Sequence, residues 1–319
     1  MENPIKLKIV FMGTSFFAAA ILEALIKDDY NIISVYTKPD QPVGRDQKVR
    51  KSEVKILSEQ EKLRIFTPEK IDKDTILEIK EQEPDIIIVA SYGKILTEEI
   101  LKLPRFGAIN VHASLLPKFR GPSPIQNAIL NGEKETGATI MLMDKGIDTG
   151  DILSQQKIDI NPEETYPELL KRISQLSSYA LLKTLPLWIR KKISPKKQEE
   201  NKATYCQLIE RSDGKIIWTN DARSIYKQWR ALLPWPGIFT YWEKNGVNLR
   251  LKLTKISPVP GELKDNREMG EVMDLNGKTA VKAASGIIIL EEIQLEGKAK
   301  VKIGDFINGH PDFIGSRLK

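Results

Sequence analysis

The sequence predicts an α/β protein: a doubly wound, mostly parallel sheet, followed by a smaller β-barrel of the oligonucleotide-binding (OB-like) type. Three observations carry that reading. Short apolar runs alternate with helical stretches through the first half, the signature of a parallel sheet covered on both faces. Those runs are continuously apolar and do not alternate, as strands buried on both sides require. Beyond a charge-rich stretch the text changes to short strands separated by Asn-Gly turns. With 319 residues and roughly 150 per domain, two domains are expected: a Rossmann-like domain over 1–190, a basic linker over 191–203 and a barrel over 204–319.

In order along the chain, "LKIVFMG" is the opening strand and "TSFFAAAILEALIKD" the helix behind it. "NIISVYT" is a second strand that leads into a polar loop, and "DIIIVASYG" and "GAINVHAS" are buried strands ending in small or polar residues. Helix "SPIQNAILNG", strands "GATIMLMD" and "DILSQQKIDI", and a long helix from about Thr165 to Arg190 complete the first domain. "IRKKISPKKQEENKA" has no apolar period and reads as a surface linker. In "DARSIYKQWRALL", Ile225, Trp229, Leu232 and Leu233 recur at helical spacing and "PWPG" ends the helix. "GIFTYWE" and "VNLRLKLTKI" flank Asn245-Gly246, "GEVMDL" and "KTAVKAA" flank Asn276-Gly277, and "GIIILEEIQL" adds a fifth strand. Asn-Gly is the preferred pair for two-residue hairpins, and five short antiparallel strands suit a small barrel.

Composition narrows the function classes. No apolar run approaches the roughly 20 residues that cross a bilayer, and "MENPIKLKIVFMG" carries acid and proline where a signal peptide would be apolar, so a cytoplasmic protein without a membrane partner is expected. Cys206 is the sole cysteine and there are two histidines, which excludes an internal disulfide and any zinc-type cluster; no metal is expected. A net charge of +6 favours an anionic partner. No long hydrophobic stripe calls for a second subunit, so a monomer is expected.

The chemistry-bearing residues gather in "AINVHASLLPKFRG" and "IMLMDKGIDTGDIL". Asn110 and His112 lie two apart at a strand end and project from one face. Ligands of open α/β sheets bind beyond the carboxyl ends of the strands, where this pair emerges. Alone, such a pair reads as a capping Asn and a core His. Its context argues otherwise: proline and glycine fix the chain that follows, Arg120 brings a planar cation to the same mouth, and Asp144, Asp148 and Asp151 arrive on a glycine-studded loop.

These segments resemble the signature of the folate-dependent formyltransferases. The likeness extends through "IVFMGTSFFAAAILEAL", "YTKPDQPVGR", "ASYGKIL", "KQWRALLPWPGIFTYW" and "INGHPDFIGSRL", and so covers nearly the whole chain. It implies transfer of a formyl group from 10-formyltetrahydrofolate to the α-amino group of methionine on initiator methionyl-tRNA, with Asn110, His112 and Asp148 catalytic. An amine attacking a formyl carbon develops negative charge on oxygen and positive charge on nitrogen. Asn110 is then a donor to the oxyanion, protonated His112 a second donor, and Asp148 the carboxylate that favours the imidazolium and relays the proton to the departing folate nitrogen.

The resemblance further implies that Ser114, Leu115, Leu116 and Pro117 contact the folate. Tyr92, Ile95 and Leu96, with Asp144 and Gly146 beside the catalytic aspartate, are expected to line the pterin pocket. Lys38, Arg45, Lys48, Arg50 and Lys51 form a basic loop like the one with which the family enters the tRNA acceptor end, with Arg45 at the position of its key arginine. Asp46 departs from that pattern and weakens phosphate attraction locally. Arg120 is placed with these tRNA contacts, and "RKKISPKK" adds a second basic surface. Trp229, Trp235 and Trp242 could stack on bases, although the helical spacing of Trp229 favours core. His310 reads as a structural residue at a helix end.

Three rivals weigh less. A formyltransferase for glycinamide ribonucleotide would end near Arg190, and one for a nucleotide sugar would not need the basic loop. A dinucleotide oxidoreductase would need the further glycines that "MGTSFFAA" lacks. A non-catalytic tRNA-binding protein would be indifferent to loss of His112.

Overall fold

The computed structural model describes residues 7–43, 47–261 and 266–319. The chain divides into two compact units: Met1–Ile125, Lys134–Ile160 and Glu168–Gln207 in the first, and Gln126–Glu133, Asn161–Pro167 and Leu208–Lys319 in the second.

The elements up to residue 189 run β1 (Ile9–Gly13), α1 (Phe16–Lys27), β2 (Ile32–Tyr36), β3 (Gln41–Val43), β4 (Lys48–Arg50), α2 (Glu53–Gln60), β5 (Ile65–Phe66), α3 (Lys73–Glu81), β6 (Ile86–Ala90), α4 (Glu98–Lys102), β7 (Ala108–His112), α5 (Pro124–Leu130), β8 (Glu135–Leu142), β9 (Ile152–Asp159) and α6 (Tyr166–Ile189). One seven-stranded sheet has the order β5-β2-β1-β6-β7-β8-β9. It is parallel from β5 to β7 and antiparallel at β8 and β9. Every residue of β1 and of β6 is buried, which is why neither shows polar alternation. Strand order reverses between β1 and β6, and such a switch point opens a crevice at the carboxyl ends. The helices α1, α2, α3 and α4 each start on a side chain, Ser15, Ser52, Asp72 and Thr97, that accepts a backbone N–H of the first turn; each such cap is worth about 1 kcal/mol over alanine.

In α6, small residues let the backbones come close: the Ser178 hydroxyl reaches Ala20 O of α1 at 3.2 Å. The stretch expected to cross the surface as a linker is instead pinned to the first unit. Lys196 and Ile152 exchange both backbone bonds, at 2.8 and 2.9 Å, and Tyr205 bridges Arg120 in parallel. Its lysines supply the polar look; its backbone meets the unit through isolated bridges at Lys196 and Tyr205, with a 3-10 turn at Glu200–Lys202 between them.

The second unit holds α7 (Ala222–Leu232), β10 (Ile238–Lys244), β11 (Val247–Val259), β12 (Val272–Leu275), β13 (Lys278–Lys282), β14 (Ile287–Leu295), β15 (Lys300–Lys302) and α8 (Ile303–Gly309). Its sheet runs β10-β11-β14-β13-β12, with β15 on β14. Both Asn-Gly pairs form the expected hairpin turns, with φ of 51° and 77° at Asn245-Gly246 and 52° and 78° at Asn276-Gly277. The sheet is wrapped into a barrel by a segment that carries no strand signal in the sequence. Leu318 bridges Trp242 on β10, and Arg317 bridges Glu271 just before β12, so residues 316–319 join the two edge strands. Trp242 is 1% exposed and meets Phe306, Phe313 and His310 edge-on, with centroids at 5.7, 5.3 and 5.5 Å. It is core and not a base-stacking platform, and His310 caps the end of α8 as expected. Among the described residues no helix is long and apolar enough to cross a membrane.

Candidate active site

The strand β7 delivers Asn110 and His112 to the carboxyl edge of the sheet, paired with Met141 and Thr139 of β8. The loop after β8 returns Asp148 to them. Asn110 Nδ2 donates to Asp148 Oδ1 at 3.1 Å, Gly121 N donates to Oδ2 at 2.8 Å, and His112 Nδ1 lies 3.5 Å from the same oxygen. The three groups singled out in the sequence therefore meet. An ionised carboxylate only accepts hydrogen bonds, so the Asn110 amide must turn its nitrogen toward Asp148, and one N–H on that nitrogen remains beyond this bond.

His112 is 6% exposed, and its Nε2 lies 2.9 Å from Phe119 O. A carbonyl can only accept, so Nε2 carries a proton directed at Phe119 O, and Nδ1 faces the Asp148 carboxylate. Nε2 is spent on the Phe119 carbonyl, and Nδ1 is the ring nitrogen beside Asp148.

Loop geometry explains the glycines around Asp148. A Cβ at Gly146 would lie 2.0 Å from Thr149 Oγ1, and one at Gly150 1.7 Å from Leu142 O. The exposed Asp144 carboxylate accepts Gly146 N at 3.0 Å and Thr149 Oγ1 at 2.6 Å, and so folds the loop that carries Asp148. Asp148 itself has φ 53°, a conformation that a non-glycine residue keeps only when its surroundings impose it.

The expected folate residues divide by burial. Ser114 is buried and its hydroxyl donates to Lys118 O at 2.6 Å; Leu116 is buried and both its backbone groups are held, N by Thr139 Oγ1 at 3.1 Å and O by Gln155 Nε2 at 2.8 Å. These two build the loop, while Leu115 and Pro117 are half-buried. Tyr92 and Leu96 pack in the cluster of Val10, Met12 and Val89, whereas Ile95 is 81% exposed. The Tyr92 hydroxyl is buried with no hydrogen-bond partner among the described residues, and burial pushes its pKa up to about 12.

Of the expected tRNA residues, Lys48, Arg50 and Lys51 are exposed on or just after the β3–β4 ribbon, with Lys51 paired to Glu59 at 2.7 and 2.8 Å. Lys38 is half-buried beside Gly93. Arg45 and Asp46 lie outside the described residues. Arg120 corrects its expectation: it is fully buried, and all its N–H donors are used inside the protein. Nε and Nη2 go to Gln198 Oε1 at 3.2 and 2.9 Å, Nη1 and Nη2 to Glu200 at 2.9 and 2.7 Å, and Nη1 to Tyr205 Oη at 3.1 Å. A buried guanidinium needs that many partners, and none of its donors is left for a phosphate. Glu200, hydrogen-bonded to that guanidinium, has its carboxyl held below the usual range. Sequence reasoning missed Phe119, Gly121 and Gln198: the first two act through backbone atoms, which carry no residue-type signal, and Gln198 sits in a run that reads as linker. Among the described residues no group of three His, Cys, Asp or Glu could hold a metal ion.

Comparison with known proteins adds the following. The chain matches the formyl transferase family over residues 7–185 and the formyl transferase C-terminal domain over 208–311. It is 41% identical over 315 residues to the methionyl-tRNA formyltransferase of Caldanaerobacter subterraneus, covering 98% of this chain and 100% of that one. It is 37% identical over 317 residues to the one from Bacillus thuringiensis, 98% of each chain. Among solved structures it resembles the N-formyltransferase from Helicobacter canadensis, in complex with folinic acid and dTDP-3-aminofucose, with TM-score 0.64 and 22% identity over 89% of this chain and 99% of that one. It also resembles HypX from Aquifex aeolicus in complex with tetrahydrofolic acid, with TM-score 0.64 and 17% identity over 97% of this chain and 48% of that one. At these identities the structural likeness speaks for the fold.

Proposed function

The chain belongs to the methionyl-tRNA formyltransferase family, and on that premise we propose that it transfers a formyl group from 10-formyltetrahydrofolate to the α-amino group of methionine esterified to initiator tRNA, in the cytoplasm. The observation that carries this reading is the convergence of one carboxylate with an amide and an imidazole: Asp148 on Asn110 at 3.1 Å and on His112 at 3.5 Å.

The amine nitrogen attacks the formyl carbon, the new C–N bond forms, and the bond from that carbon to the folate nitrogen breaks. Asn110, with its amide nitrogen already turned by Asp148, offers its second N–H to the oxygen that gains negative charge. Pre-set donors of this kind are worth about 10²- to 10³-fold in rate. The proton that the amine loses passes to the Asp148 carboxylate and His112 Nδ1 and from there to the departing folate nitrogen, so the pair acts as base and then acid. No covalent enzyme intermediate is needed. In the folate site the half-buried Leu115 and Pro117 and the exposed Ile95 supply apolar contact, while the Asp144–Gly150 loop offers backbone groups to the pterin's amide-like edge. Exposed Lys48, Arg50 and Lys51 meet tRNA phosphate together with Lys38 and Arg45.

The test is to combine the purified protein with 10-formyltetrahydrofolate and charged initiator tRNA and to look for N-formylmethionine by mass spectrometry. Formation of the product in the presence of both substrates is expected. A folded protein that yields none, or that formylates an amino sugar or ribonucleotide in preference, would overturn the reading.

A further inference from the structure

We propose that Gln198 is a positioning residue for formyl transfer: its side-chain amide, oriented by Arg120, holds the backbone of Asp148 so that its carboxylate meets Asn110 and His112. This inference rests on the catalytic reading of Asp148 given above.

The geometry is a closed ring. Gln198 Nε2 donates to Asp148 O at 2.8 Å and to Gly150 O at 2.7 Å, which uses both of its hydrogens. Its Oε1 accepts Nε and Nη2 of Arg120 at 3.2 and 2.9 Å. A guanidinium can only donate, so the amide has one possible orientation and its NH₂ must face the two carbonyls. From Arg120 the ring returns to Asp148 through the next residue, since Gly121 N donates to Asp148 Oδ2 at 2.8 Å. The preceding residue completes the link to the imidazole, because Phe119 O accepts His112 Nε2 at 2.9 Å.

Both ends of Asp148 are thus fixed from two segments that Arg120 ties together: the carboxylate through Gly121 and the peptide oxygen through Gln198. Asp144 braces the same loop from within by its bonds to Gly146 and Thr149, but it does not touch the Asp148 peptide among the described hydrogen bonds. That peptide sits at a left-handed residue, φ 53°, which would relax to a more populated conformation without an external hold. Relaxation would swing the carboxylate away from Asn110 while leaving the rest of the sheet intact. Only a group with two donors and an acceptor on one planar end can serve here. A glutamate would keep the Arg120 contact but set its oxygens against two carbonyls, and a methionine would keep the length with neither capacity.

The experiment compares Gln198→Met and Gln198→Glu in the full chain, alone and combined with Asp148→Asn, by single-turnover formylation and steady-state kinetics, with folding checked by thermal melting. Each single substitution should lower kcat about 10- to 100-fold, the scale of a displacement of about 1 Å, with KM for either substrate moved less than about 3-fold. In the Asp148→Asn background, Gln198→Met should change the residual rate by less than about 2-fold, because a residue that acts through Asp148 has nothing left to position. Wild-type kcat in Gln198→Met, full activity in Gln198→Glu, or an equal loss with and without Asp148 would overturn the proposal. So would loss of the fold in both Gln198 variants, which would make the role structural. Full activity in Asp148→Asn alone would instead sink the catalytic reading, and the two failures are told apart by that single variant.

Discussion

Asp148 accepts Asn110 Nδ2 on one oxygen and Gly121 N on the other, with His112 Nδ1 3.5 Å away, and serving both donors needs a carboxylate that accepts on both oxygens. Asp148→Asn exchanges one oxygen for an NH₂ that must face either the Asn110 amide or the Gly121 N–H, a donor against a donor. The expected result is a loss of about 10²- to 10⁴-fold in kcat, the range for removing a positioned acid–base group, with the melting temperature within a few degrees of wild type. A rate near wild type would show that the proton takes another path. Gly121 makes a second case at the same scale. It has φ +112°, and a Cβ there would meet Cys206 O at 2.6 Å. Gly121→Ala should therefore destabilise the first unit by about 1–3 kcal/mol and also displace the N–H that holds Asp148, lowering kcat. A stable and fully active Gly121→Ala protein would contradict both consequences.

Helix α7 shows how an element is secured. Asp221 caps it, accepting Ser224 N at 2.9 Å and Ser224 Oγ at 2.8 Å, and these bonds hold its carboxyl below the ordinary value of 3.8. A carboxyl with a depressed folded-state pKa contributes stability that is complete above its unfolded pKa and is lost as pH falls through the folded one. Asp221→Ala should cost about 1 kcal/mol at neutral pH, and the gap to wild type should narrow progressively below about pH 4. A gap that stays constant to pH 2 would mean that the charge plays no part.

The sequence makes this helix legible through Ile225, Leu232 and Leu233 at helical spacing, and the hairpins through their Asn-Gly pairs. Strands β1 and β6 stand out as unbroken apolar runs, and β7 as an apolar strand that carries Asn110 and His112 at its end. The closing segment 316–319 is not legible, because four residues bridging two edges have no period to detect. The strap 196–206 is hidden for a related reason: its hold on Ile152 is made by backbone atoms, and its hold on Arg120 by Gln198, Glu200 and Tyr205, polar side chains scattered in a lysine-rich run with no period. Asp148 can be read as a candidate from its acidic, glycine-rich loop, but the backbone partners that fix it cannot.

Across the whole molecule, 49 basic residues against 43 acidic ones leave a charge of +6, small enough that location matters more than sum. Several cations are already neutralised: Lys55 by Asp40 at 2.8 Å, Lys51 by Glu59 at 2.7 Å and Arg120 by Glu200 at 2.7 Å. The β3–β4 ribbon carries Lys48 and Arg50, both exposed. A polyanion that engages such groups releases counterions, and its affinity then falls with a log–log salt slope of about 0.7 to 0.9 per phosphate contacted. A reduced folate has far fewer charges and shows no comparable slope. Raising salt from about 50 to about 200 mM, the span over which such losses are large, should depress kcat/KM for charged tRNA steeply and leave KM for 10-formyltetrahydrofolate within about 2-fold. Arg50→Glu should flatten the tRNA slope by about one contact without altering folate KM, because Arg50 stands on the ribbon and not among the residues around Asp148. An unchanged slope in that variant would remove the ribbon from the tRNA interface and move the basic surface to other lysines of the chain.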